Sequence, residues 1–154
     1  MEHDARSVAN ELLRRAKDAG EPVTHLKIMK LVYFCHAWML GLYHEPLQVQ
    51  PIEAWRYGPV VRDVYRSLRR YGSEPINHPI SVEPEEYNHT QKDLIDQVWE
   101  IYGKYTARQL SAMTHAPGTP WHQIWYERGE SAVIPDPLIE EYYSDLYEQS
   151  TRDS

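Results

Sequence analysis

With one cysteine in 154 residues, Cys35, the chain lies outside two classes of protein. A lone thiol makes no intrachain disulfide framework and no multi-cysteine metal site. Phenylalanine is nearly absent too, one residue against twelve tyrosines and five tryptophans. Rings with a polar edge suit half-buried positions and interfaces better than deep cores. No apolar run approaches the ~20 residues that span a bilayer, because charged or polar residues interrupt every one. The opening "MEHDARS" lacks the pattern of a secretory leader, so a reduced, cytoplasmic setting is expected. GxGxxG, P-loop, HExxH, HxxxH and CxxC patterns are missing, which leaves no local signature for a dinucleotide, a nucleotide triphosphate or zinc. There is no internal repeat, low-complexity block or linker. A single domain over 1–154, long enough for a proper core, is the expected organisation.

What is present reads mainly as helix. Ser7 is positioned to cap a helix over 8–19, with Val8, Leu12, Leu13 and Ala16 on one face and Gly20 and Pro22 ending it. Thr24 caps a second helix running to 43. Ile28, Leu31, Val32, Cys35 and Met39 form one stripe, while Leu26, Met29, Tyr33, Ala37 and Leu40 load the other side. A helix apolar nearly all round is a central one. "LQVQPIEAW" is extended in character, and Pro51 favours an edge strand. Gly58-Pro59 predicts the opening of a third helix, because proline is tolerated in the first turn. Val61, Val64, Tyr65, Leu68 and Tyr71 follow at helical spacing, with Gly72 at the end. The proline-rich stretch 73–89 reads as a loop with room for a short strand at 80–82. Thr90 with Asp93, Thr106 with Gln109, Thr119-Pro120 and Asp136-Pro137 then each predict a helix start. The expected fold is mainly α: a compact helical bundle with a short extended or β-hairpin element.

Candidate chemistry is thin. His115, His122, Cys35 and His36 are metal-ligand types, but adjacent helical residues point about 100° apart and no chelating spacing appears. Cys35 sits among Val32, Phe34 and Met39 as a small buried thiol would. Thr114-His115 beside a Pro-Gly turn resembles an active-site fragment without a third group, and Glu53 with His36 is only a nominal acid/base pair. The expectation is no enzyme activity, no metal and no cofactor.

The stronger feature is "IEAWRYGPVVRDVYRSLRRYG", residues 52–72. From Arg56 to Arg70 it concentrates five arginines and one aspartate, a local +4, in a chain of net charge -7. Arg62, Arg66, Arg69 and Arg70 recur at helical spacing opposite Val61, Val64 and Leu68, either as a solvated face or as a stripe that binds a partner. Trp55 and Tyr57, two apart in an extended segment, should project on the same side. They serve either as packing where strand meets helix or as contacts, since Trp, Tyr and Arg dominate binding hot spots. Trp55, Arg56, Tyr57, Arg62, Arg66 and Arg69 are therefore the candidate partner-binding residues. Nucleic acid is disfavoured as that partner by the overall negative charge.

"LKIMKLVYFCHAWMLGLY", "PIEAWRYGPVVRDVYRSLRRYG", "YGKYTARQLSAMTHAPGTPW" and "IPDPLIEEYY", in that order, resemble the Panacea domain family of SocA-like antitoxins and phage-associated proteins. The resemblance covers 8–143; His44 stands where the family often has glycine. It implies a mainly helical antitoxin that neutralises a cognate protein toxin, encoded by an adjacent gene, through direct binding. It also implies two alternatives: an adaptor that delivers a partner to a ClpXP-type protease, or a phage-associated interaction protein without a toxin. A protease or chaperone is the further partner expected, and no membrane.

Overall fold

Helix α2, His25–Tyr43, sets the architecture. Its side chains are buried on every side from Ile28 to Ala37, including Lys30 and His36, so neighbours must surround it. Thr24 caps it through its hydroxyl, as the sequence predicts. The computed structural model describes residues 1–152. Around α2 are arranged α1 (Ala5–Asp18), α3 (Arg62–Leu68, extended by a 3-10 turn Arg69–Tyr71), α4 (His89–Tyr102), α5 (Ala107–His115) and α7 (Asp136–Arg152). The longest of these contacts is with α7. Gly41 permits it: a Cβ there would lie 2.6 Å from the Tyr143 Cβ. At the end of α2, His44 takes a left-handed φ of 59°, the conformation that makes glycine the cheapest residue at this position. Its Nδ1 lies 3.1 Å from Glu140 on α7.

A small sheet flanks this bundle, with β1 (Ile52–Trp55) between β2 (Gly58–Val60) and β3 (Ala132–Ile134), all antiparallel. Helix α6 (Pro120–Arg128) leads into β3. Ile52 and Ala54 face the core with Ile134, whereas Glu53 and Trp55 lie on the opposite face.

The mainly α-helical expectation holds, with local corrections. Asp4, not Ser7, caps α1, and its carboxylate accepts the Arg6 N–H. Ser7 is instead buried, its hydroxyl 2.7 Å from that of Tyr87. β1 is the central strand rather than an edge, because Pro51 lies just before it and no ladder donor is lost. Gly58-Pro59 forms edge strand β2, and the helix starts only at Arg62. No strand forms at 80–82, where Asn10 instead bonds both backbone groups of Ile80, at 2.7 and 2.9 Å. The capping box of α4 is Asn88 with Gln91, not Thr90 with Asp93. The Thr106–Gln109 box and the Thr119-Pro120 start form as expected. No helix among the described residues is long and apolar enough to cross a membrane.

Candidate functional site: a braced hairpin tip

β1 and β2 are joined by Arg56 and Tyr57 alone, with Trp55 paired to Gly58. Two-residue hairpin loops normally need positive φ at their first residue. Here neither loop residue has it, and Gly58 absorbs the turn at φ +116°. Tyr57 stands 62% exposed at the tip, and Arg56 is exposed beside it.

Beneath the tip, the carbonyls of Trp55 and Tyr57 each meet a donor from a different helix. The Trp121 indole N–H of α6 donates to the Trp55 carbonyl at 2.7 Å. The Lys30 ammonium of α2 donates to the Tyr57 carbonyl. His115 of α5 gives its Nδ1–H to the Ser111 carbonyl at 2.7 Å. The Arg56 N–H is given to the Glu130 carboxylate at 2.9 Å. Trp121 also packs edge-on against the His115 ring at 4.2 Å. The tip is thus tied to the body at three successive residues, by the carbonyl of 55, the N–H of 56 and the carbonyl of 57.

The electrostatics follow from burial. Desolvation pulls the Lys30 amine down to about 8. It also lowers His115, helped by the Lys30 charge and opposed by the nearby Ser111 and Arg56 backbone, so the imidazole is neutral at neutral pH.

On the outer face of β1, Glu53 collects three donors. Trp55 Nε1 reaches it at 3.0 Å, and Arg62 makes a fork of 2.7 and 3.2 Å. Burial pushes the Glu53 carboxyl up, but these bonds outweigh it and hold the group below its usual value. The Arg62 guanidinium lies 5.5 Å from the Trp55 ring centre, and Tyr65 meets that ring edge-on at 4.8 Å.

This divides the six candidate residues. Arg56 and Tyr57 are exposed at the tip. Arg66 and Arg69 are exposed along α3 and the turn after it, and the side chains of Arg56, Arg66 and Arg69 make no hydrogen bond or ion pair among the described residues. Trp55 and Arg62 are engaged internally with Glu53. Trp55 and Tyr57 do not share a face, because the strand ends at Trp55 and Tyr57 is in the turn. The sequence reading missed Lys30, Glu130 and the linkage of Trp121, with His115 packed on it, to the tip. A lysine within the otherwise apolar "IMKLVYF" is the one visible signal for any of them.

The other candidates have structural partners. His36 is fully buried, with Nε2 2.9 Å from Asp136 and Nδ1 accepting the Leu47 N–H at 3.3 Å, so Glu53 is not its partner. The buried Cys35 thiol is pushed well above its usual value by desolvation. Thr114 gives its hydroxyl to the Ser111 carbonyl. No three of the described His, Cys, Asp or Glu side chains converge as a metal site would require. A groove of about 650 Å³ lies elsewhere, between the end of α1 and residues 75–79. Two of the polar side chains that line it, Asn10 and Arg14, are paired with Ile80 and Glu11.

Fold and site together define a mainly helical module built on one buried helix, which carries a braced β-hairpin on its flank. The chain belongs to the Antitoxin SocA-like, Panacea domain family, whose model matches residues 28–122, a span that includes Lys30, the hairpin, His115 and Trp121. It is 36% identical over 131 residues to Antitoxin SocA of Caulobacter vibrioides (strain NA1000 / CB15N), covering 79% of this chain and 70% of that protein. No solved structure matches it.

Proposed function

We propose that this protein is an antitoxin that neutralises a cognate protein toxin, encoded by an adjacent gene, by direct binding. The contact surface is the hairpin tip, Arg56 and Tyr57, continued by Arg66 and Arg69. The observation that carries this reading is the tip's combination of exposure and rigidity. An aromatic ring and a guanidinium without intramolecular partners project from a backbone tied at three successive residues, through the carbonyls of 55 and 57 and the N–H of 56. Such a surface loses little conformational freedom on association, and Tyr and Arg are the residue types that dominate hot spots. Trp55 and Arg62 support the tip from behind. Membership of an antitoxin family supplies the class of partner.

The test is co-expression with the adjacent open reading frame, scored by growth rescue and co-purification. We expect rescue by the wild type, and a loss of affinity of roughly thirtyfold for Tyr57→Ala or Arg56→Glu at unchanged stability. Absence of rescue and of co-purification would overturn the antitoxin reading. Wild-type affinity in both variants would move the contact away from the tip. Disappearance of the partner only in cells that contain a ClpXP-type protease would replace neutralisation by delivery.

A further inference from the structure

We infer that Lys30 is a positioning residue for partner binding: its buried ammonium holds the Tyr57 carbonyl and so fixes the direction in which the tip presents Arg56 and Tyr57. This rests on the reading of the tip as the contact surface.

Lys30 is 2% exposed, within the most apolar stretch of α2. Among the described residues it makes no ion pair, and its one hydrogen-bond acceptor is the Tyr57 carbonyl. As core filling this is a poor choice. A desolvated ammonium with no counter-charge is costly, and methionine fills a similar volume without the charge. What the amine adds is a donor at a fixed point under the turn. The turn backbone is seated on it so closely that a Cβ on Gly58 would collide with Nζ. Trp121 holds the carbonyl of 55, Glu130 holds the N–H of 56, and Lys30 holds the carbonyl of 57, the residue with the most exposed ring of the tip. Without the amine, the peptide plane between Tyr57 and Gly58 loses its anchor, and the tip must be ordered when the partner binds.

The experiment compares Lys30→Met, Lys30→Gln, Tyr57→Ala and Arg66→Glu in the full chain. It measures urea stability, amide exchange at 56–58, and titration with the product of the adjacent gene. Lys30→Met is expected to be at least as stable as the wild type, yet to exchange the Arg56 amide about tenfold faster and to bind about tenfold more weakly. Lys30→Gln, which keeps a donor, should recover part of that binding. In double-mutant cycles Lys30→Met should be strongly non-additive with Tyr57→Ala and additive with Arg66→Glu, a pattern that loss of packing alone does not produce. Unchanged exchange at 56–58 in both Lys30 variants, additivity with Tyr57→Ala, or a Lys30→Met protein that is less stable than the wild type overturns the inference. Tyr57→Ala at wild-type affinity removes the tip reading itself. A weakened Tyr57→Ala beside an unweakened Lys30→Met removes only the role of Lys30.

Discussion

The two titratable groups under the hairpin tip, Lys30 and His115, act on stability at opposite ends of the pH scale. Lys30 has a folded pKa of about 8 against 10.5 for the free side chain. Below pH 8 both the folded and the unfolded chain hold the proton, and the full cost of the buried charge is present. Between pH 8 and 10.5 only the unfolded chain holds it, so stability rises with pH, by up to about 3 kcal/mol. His115 is lowered by burial and then by the Lys30 charge, so stability is lost as pH falls through 6.5 and the unfolded chain takes up the proton first. Urea midpoints measured from pH 7 to 10 should show Lys30→Met more stable than the wild type at pH 7, with the gap closing towards pH 10. The comparison is needed because buried tyrosines such as Tyr102, whose pKa is raised by burial, lower stability at the alkaline end in both proteins. A gap that does not change with pH would mean that the amine is not desolvated.

At the scale of elements, α3 is not a uniform basic stripe. Its first arginine is consumed by the sheet: Arg62 forks onto Glu53 and covers Trp55. One turn later Arg66 is exposed. Charge reversal should therefore split the two positions. Arg62→Glu places a second carboxylate against Glu53 and releases Trp55, so its urea midpoint should fall clearly and its tryptophan emission should shift. Arg66→Glu should stay within about 0.5 kcal/mol of the wild type, as surface substitutions generally do. Equal stability in the two variants would mean that the Glu53–Arg62 fork is not maintained in solution. Helical spacing in the sequence puts both residues on the same polar face; nothing local says that a strand carboxylate nine residues upstream claims only one of them.

For the molecule as a whole, the segment matched by the family model, 28–122, is not the segment that closes the core. α1 and α7 both pack on α2, and β3 pairs with β1. Ala5, Val8, Leu12, Ile134 and Ile139 are all buried against the rest of the core yet lie outside 28–122. We propose that the chain unfolds as a single unit. Urea transitions followed by tryptophan fluorescence and by far-ultraviolet circular dichroism should coincide. A fragment of 28–122 should be unfolded or insoluble, because α2 would expose two apolar faces. Separate transitions, or a folded fragment, would divide the chain into two bodies.

What the sequence by itself determined is what depends on neighbours a few residues away. The apolar circumference of α2, the caps at Thr24, Thr106 and Thr119, the positive φ of Gly72 and the helix start at Asp136-Pro137 all follow from local sterics, hydrogen bonding and periodicity. So did the concentration of Trp, Tyr and Arg around 55–70, and with it the region of the candidate site. The tertiary structure decided everything that needs a partner far along the chain. Gly58-Pro59 is a strand rather than a helix start because β1 is there to pair with it, and β3 is too short to have a period of its own. Lys30 meets Tyr57 across 27 positions, Arg56 meets Glu130 across 74 and Trp55 meets Trp121 across 66. Each of these bonds joins ordinary residues whose roles exist only once the chain has brought them together, since a hydrogen bond is decided within a few ångströms of space and not by distance along the sequence.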